Sequence, residues 1–250
     1  MAPGKKFVCN EIWGGNTHAA EDVELGKLRG YLLSIPHDSE KGGDIHYLCQ
    51  CEPETLAKIV IADVAGHGEV VSAIAEQMRR LLHADLNEVD NSRLLTSVNE
   101  VLRQTLPDGR FVTMVAATYN GETGDFIYAY AGHPTIFRFS VTGGRWQFLQ
   151  PVDAPNSGVP LGILGGTEYV QANARLQEGD MLLFYTDGVL DIRRKPHERL
   201  NINGLLEVCQ KVTDINSGPR HVVTSLVRHL REVCEGEFMD DVTLLALQVC

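Results

Sequence analysis

The apolar pattern of this chain switches repeatedly between strand and helix periods, and that alternation limits the folds open to it. From Ala57 to Val64 the run Lys58-Ile59-Val60-Ile61-Ala62-Asp63 is β-branched and nearly continuous, as in a strand buried on both faces. Val71, Ile74, Ala75, Met78, Leu81 and Leu82 then recur at three and four, one face of a helix. Leu94, Leu95, Val98, Val101, Leu102 and Leu106 repeat the pattern, with Asp90 or Asn91 as the cap and Pro107-Asp108-Gly109 as the stop. Short strands follow at 111–119, 125–131, 135–141 and 145–149, the first two joined by the hairpin loop Asn120–Gly124. Residues 150–166 are a Pro- and Gly-rich loop, and strands resume at 169–174 and 181–185. Two more helical faces, around Leu205–Val212 and Val222–Cys234, precede a last strand at 242–249. Before the first run, residues 13–27 read as irregular, and 30–35 and 44–51 read as strands. Strands that follow one another through hairpins make antiparallel sheet, so the fold class is α+β with sheets at the centre and helices outside.

Among 250 residues, 22 Lys and Arg stand against 33 Asp and Glu, a net charge of −11 with no basic block. That balance argues against nucleic acid or an anionic membrane surface as partner. No apolar run approaches the roughly 18 residues of a membrane span. Lys5 and Lys6 have no apolar stretch behind them, so the start does not read as a secretory signal, and a cytoplasmic location is expected. Cys9, Cys49, Cys51, Cys209, Cys234 and Cys250 form no C-x-x-C pair and are expected to be reduced and mostly buried. The division expected is an extension over 1–29 and one domain over 30–250.

Four acidic positions stand out by placement. Asp44 follows Gly42-Gly43 at a strand start, and Asp63 ends an apolar run before Gly66-His67-Gly68. Asp187 ends the run 181–185 before Gly188, and Asp240-Asp241 precedes the last strand. Each alone is an ordinary turn residue. Brought to one end of a sheet they would repel strongly unless a cation sat among them, and oxygen-only ligands suit magnesium or manganese.

Gly42-Gly43-Asp44, Asp63-Val64-Ala65-Gly66-His67-Gly68, Ala131-Gly132-His133-Pro134, Gly158-Val159-Pro160-Leu161-Gly162, Tyr185-Thr186-Asp187-Gly188-Val189 and Asp240-Asp241-Val242-Thr243 occur in this order. The set resembles the metal-dependent protein phosphatase (PPM, phosphatase type 2C) superfamily in its bacterial SpoIIE-like branch, over roughly residues 30–249. The resemblance implies a central antiparallel β-sandwich flanked by helices on both outer faces. It implies two manganese or magnesium ions, with room for a third, and hydrolysis of phosphoserine or phosphothreonine by a metal-bridging water. By position, Asp63 would bridge both metals and Val64 would offer its backbone carbonyl. Asp187 and Asp240 would complete the other shell, Asp191 would help hold a further ion, and Asp44 would join the metal set. Asp63, Asp187 and Asp240 are thus the catalytic candidates, while Asp241 is expected to point away or orient its neighbour.

His67 reads as a proton donor to the leaving group, as a phosphate contact or as a cap at the helix start, and His133 as a brace beside the site. The first motif departs from the family's pattern at Tyr47, which stands where a second acid is usual. Either a ligand moves to His46 or one metal's shell is weakened. Alternation along the strand puts Ile45, Tyr47 and Cys49 on one face, and Asp44 and His46 on the other. The expected substrate is a phosphorylated bacterial signalling protein of the anti-sigma-antagonist type. Only about 30 residues precede the core, so control is expected from a regulatory protein in trans, from an order–disorder step near the site or from the N-terminal segment, and a homodimer is also allowed. The competing readings are a pseudophosphatase that binds a phosphoprotein with little turnover, and a two-metal hydrolase of small phosphoesters.

Overall fold

The computed structural model describes residues 9–14, 17–37, 42–51, 55–66, 69–85, 88–107, 109–149, 158–194, 198–233 and 238–250. Strands β1 (Cys9–Gly14), β2 (Ala19–Leu25), β3 (Leu28–Ile35), β4 (Asp44–Cys51) and β5 (Leu56–Val64) come first. Helices α1 (Glu69–Ala84) and α2 (Asn91–Thr105) follow, then β6 (Val112–Asn120), β7 (Asp125–Ala131), β8 (Phe137–Ser140) and β9 (Arg145–Phe148). Next are β10 (Gln171–Arg175), β11 (Met181–Tyr185), a 3-10 turn (Asp187–Val189) and the two-residue strands β12 (Arg193–Arg194) and β13 (Glu198–Arg199). Helices α3 (Ile202–Val212) and α4 (Pro219–Val233) and strand β14 (Val242–Val249) complete the order.

Apart from β12 and β13, which pair with each other, the strands form two six-stranded antiparallel sheets, ordered β1-β4-β5-β6-β7-β10 and β2-β3-β14-β11-β8-β9. Between them lies an apolar layer that includes Leu32, Leu48, Ile59, Ile61, Val115, Phe126, Phe184 and Leu245. On the first sheet's outer face, α1 buries Val71, Ile74, Ala75, Met78 and Leu82, the stripe expected from its period. On the second sheet's outer face, α3 and α4 bury Leu205, Val208, Val222, Leu226 and Leu230. The chain is therefore the expected α+β sandwich with helices on both outer sides. Helix α2 starts as expected: the Asp90 carboxylate accepts hydrogen bonds from Ser92 N and Arg93 N.

Within 13–27 the described residues are mostly strand rather than irregular. Ala19–Leu25 is an edge strand paired in register with β3, and Cys9–Gly14 pairs with β4. The signal was weak because an edge strand buries little: only Val23 and Leu25 of β2 face the interior. Cys49 and Cys209 are buried free thiols, whereas Cys250 is exposed. Among the described residues no helix is long and apolar enough to cross a membrane.

The alternation read along β4 holds. Ile45, Tyr47 and Cys49 pack on the outer face among the residues beneath α1 and α2. Tyr47 is 1% exposed, and Trp13 of β1 stands edge-on to it, with centroids 5.9 Å apart. A carboxylate there would lose its hydration beneath two helices. Tyr47→Asp should therefore cost about 3–5 kcal/mol of stability, seen as a lower urea midpoint, without tightening the manganese dependence of any activity. A variant as stable as the parent would contradict this placement.

Candidate functional site

Antiparallel register brings the first two carboxylates side by side. Asp44 opens β4 directly opposite Asp63 near the end of β5, both on the inner face. The second sheet delivers the others to the same rim, because β11 and β14 are neighbours and the turn after β11 meets the start of β14. Thr186 N donates to Thr243 O across that junction. Asp187 follows β11, and Asp191 closes the turn, its N–H donating to Asp187 O. Asp240 lies just before β14 and accepts from Asp241 N at 2.8 Å.

Their proximity is read in their protonation. Burial, then the charges of Asp187, Asp240 and Asp241, push the Asp63 carboxyl up to about 7. Desolvation, then Asp240 and Asp191, raise Asp187. Desolvation also leads the rise at Asp240, where Asp241 and Asp191 add repulsion. Asp44, 2% exposed, is raised well above the ordinary range by burial first and by Asp63 second. The charges that act on Asp63 are all carboxylates. Such a set lowers its free energy by taking up protons or a hard cation, and it offers only oxygen.

Asp44 and Asp241 also bind the protein itself. Asp44 Oδ2 accepts from Thr186 Oγ1 at 2.8 Å and Thr243 Oγ1 at 2.6 Å, tying the first sheet to the second. Asp241, whose charge also acts on the rim, binds the chain through both oxygens: Oδ1 accepts from His37 N at 2.8 Å and Oδ2 from Gly43 N at 2.5 Å. The second bond has a consequence for Val64. Gly43 lies opposite Val64 in the β4–β5 register, and Val64 N donates to Gly43 O. The return donor, Gly43 N, is spent on Asp241, so the ladder bond that would close on the Val64 carbonyl is not made. Only glycine fits at 43, because a Cβ there would fall 2.6 Å from Val64 O and 3.1 Å from Asp63 Oδ1.

Asp63 is thus within reach of the charges of Asp187 and Asp240, and Asp191 acts on those two, beside a Val64 carbonyl that lacks its ladder bond to Gly43. Among the described residues no three of His, Cys, Asp and Glu are already closed around one metal-sized point. The donor chemistry still fits magnesium or manganese: hard oxygens, excess negative charge and an open carbonyl. His67 lies outside the described residues. His133 is buried, its Nδ1 is 2.9 Å from Thr113 Oγ1, and burial lowers its pKa to about 3, so it is a neutral brace. His46 is also lowered by burial, to about 4, and its ring covers Gly14 of β1. Thr186, Thr243 and Arg110 were not singled out from the sequence. Both threonines lie within the quoted motifs, whereas Arg110 follows a turn and carries no local signal.

The carboxylates and the buried histidines shift stability in opposite directions. Asp63 binds a proton in the folded state up to about pH 7 but unfolded only to about 3.8, so stability falls as pH rises through that window. His46 and His133 resist protonation when folded, so they favour the fold as pH rises towards 6.5 and add nothing beyond it. Between about pH 6.5 and 8, Asp63 still gives up its proton while His46 and His133 no longer change. Protein held in EDTA should therefore melt at a lower temperature at pH 8 than at pH 6.5, and excess magnesium should close the gap. A melting temperature indifferent to both would contradict a strained, cation-seeking rim.

The family described as Stage II sporulation protein E (SpoIIE) matches residues 53–250. Phosphoserine phosphatase RsbU of Bacillus subtilis (strain 168) is 29% identical over 247 residues, 96% of this chain and 68% of that protein. The RsbU and RsbW domains of Rv1364c from Mycobacterium tuberculosis superpose with a TM-score of 0.75 at 23% identity, covering 93% of this chain. This chain spans only 62% of that structure's length. RsbX, solved in complex with magnesium, superposes with a TM-score of 0.65 at 17% identity, over 93% of this chain and 100% of that one. With the fold, the rim of carboxylates and a family match over most of its length, the chain belongs to the SpoIIE family of PP2C-type phosphatase domains.

Proposed function

We propose that the protein is a metal-dependent phosphatase that removes phosphate from serine or threonine of a bacterial signalling protein in the cytoplasm. The observation that carries this reading is Asp63, held at a pKa of about 7 by burial and by Asp187, Asp240 and Asp241, beside the released carbonyl of Val64. In this reading Asp63, Val64, Asp187 and Asp240 hold two magnesium or manganese ions, and Asp191 contributes to a third. When bound, such ions supply positive charge to the phosphoryl oxygens and a water of lowered pKa. Asp44 keeps Asp63 in register from behind, anchored on Thr186 and Thr243. Asp241 holds the Gly42-Gly43 turn so that the Val64 carbonyl stays available. Neutral His133, braced on Thr113, keeps the inner face filled beside Asp63.

Support for a phosphoprotein substrate comes from the relatives: RsbU is named a phosphoserine phosphatase, and in Rv1364c an RsbU domain is joined to an RsbW domain. A regulatory partner in trans and a homodimer belong to the same proposal. The reading as a pseudophosphatase drew on Tyr47 as a lost acid. Tyr47 faces the core beneath α1 and α2 and is turned from the carboxylate rim, so that support falls away.

Hydrolysis of p-nitrophenyl phosphate should require added manganese or magnesium and stop in excess EDTA. Asp63→Asn should reduce turnover to background, because one substitution disturbs the centre of the donor set. Asp241→Asn should cost about 10–100-fold, because it acts through the Gly43 and Val64 backbone. Circular dichroism would confirm that both variants fold. Equal losses in the two, or full activity in EDTA, would overturn these assignments.

A further inference from the structure

The turn between α2 and β6 places a cation against the loop that follows Asp63. Arg110 N donates to Pro107 O, and Ala65 N donates to Phe111 O, so the two segments are fastened together by backbone. The half-buried Arg110 side chain lies across Gly66, whose φ is +109°. A methyl on Gly66 would overlap the guanidinium, so glycine both permits the backbone angle and opens the space that Arg110 fills. Arg110 Nη1 donates to Ala65 O at 2.6 Å. Among the described residues that carbonyl is its one hydrogen-bond partner, which leaves most of its five N–H donors unspent.

Its neighbours say where it stands. The Gly66 carbonyl and Asp63 Oδ1 approach the same point beside Gly43, at 3.4 and 3.1 Å from the Cβ position there. Arg110 is thus fastened to the loop that continues from Asp63-Val64-Ala65, one residue before the point where that loop's Gly66 carbonyl nears Asp63 Oδ1. A phosphoryl dianion entering this rim meets carboxylates on several sides, in a chain of net charge −11. An anchored guanidinium with free, fork-shaped donors matches such an anion better than any other group fastened to the 63–66 segment.

We propose that Arg110 binds the substrate's phosphoryl group, fixed on the Ala65 carbonyl and presenting its remaining N–H groups to oxygens at the outer side of the rim. This rests on the phosphatase reading above and adds a substrate contact to it. The full chain, loaded with manganese, would be compared with Arg110→Gln and Arg110→Lys. The readouts are KM for p-nitrophenyl phosphate, inhibition by inorganic phosphate, manganese half-saturation and melting temperature. Arg110→Gln should raise KM and the phosphate inhibition constant by about 10–100-fold, with manganese half-saturation and melting unchanged. Arg110→Lys should recover part of the loss, a point charge without the fork.

Unchanged KM and phosphate inhibition would overturn the inference. So would a manganese half-saturation that moves in step with KM, because the guanidinium would then only pin the loop. If the parent shows no turnover, the phosphatase reading fails by itself. Calorimetric binding of inorganic phosphate to the manganese-loaded parent and to Arg110→Gln would then decide the role of Arg110, and equal affinities would overturn it.

Discussion

Carboxylates gathered at one rim of a β-sandwich repel one another, and much of the local structure serves to keep that repulsion from scattering them. Asp63 cannot withdraw, because it is fixed in the β4–β5–β6 ladder between Asp44 and Thr113. Asp44 is held by hydroxyls of the opposite sheet, so the two sheets cannot slide apart at this end without breaking two buried hydrogen bonds. Asp187 and Asp240 sit on turns whose spacing is set by the β11–β14 pairing. Folding thus stores electrostatic work at one place, and a bound divalent cation is what would release it.

The same rim holds two adjacent carboxylates with different ties to the chain. Both add charge to the cluster, but Asp241 also accepts backbone N–H groups from His37 and Gly43, far from it in sequence. Diverting Gly43 N from the strand ladder changes what Val64 can do, because a paired strand carbonyl becomes an open oxygen donor. A turn carboxylate thereby shapes the site through one backbone hydrogen bond.

The sandwich was legible in the sequence because its helices and central strands bury whole faces, and burial writes a period. β5 buries nearly every residue, and α1 and α2 each bury a stripe, so their identity followed from spacing. β2 was missed because, at the edge, exposed polar residues outnumber its two inward positions. Among the site residues, Asp63, Asp187 and Asp240 were visible as acids at strand ends. The facing of Tyr47 followed from alternation along β4. That Asp44 would be bound by Thr186 and Thr243, residues 142 and 199 positions away, could not be read locally. Nor could the path from Asp241 through Gly43 to Val64, which depends on register across two sheets.

The central claim is that this rim binds divalent metal through Asp63, Val64, Asp187 and Asp240. Its most direct test is a crystal of the full chain soaked in manganese and measured for anomalous scattering. The account expects manganese peaks at the rim, with Asp63 oxygens and the Val64 carbonyl among the ligands and Asp241 still bound to Gly43 N. Peaks elsewhere on the molecule with none at the rim, or a Val64 carbonyl returned to the strand ladder beside a bound ion, would contradict it.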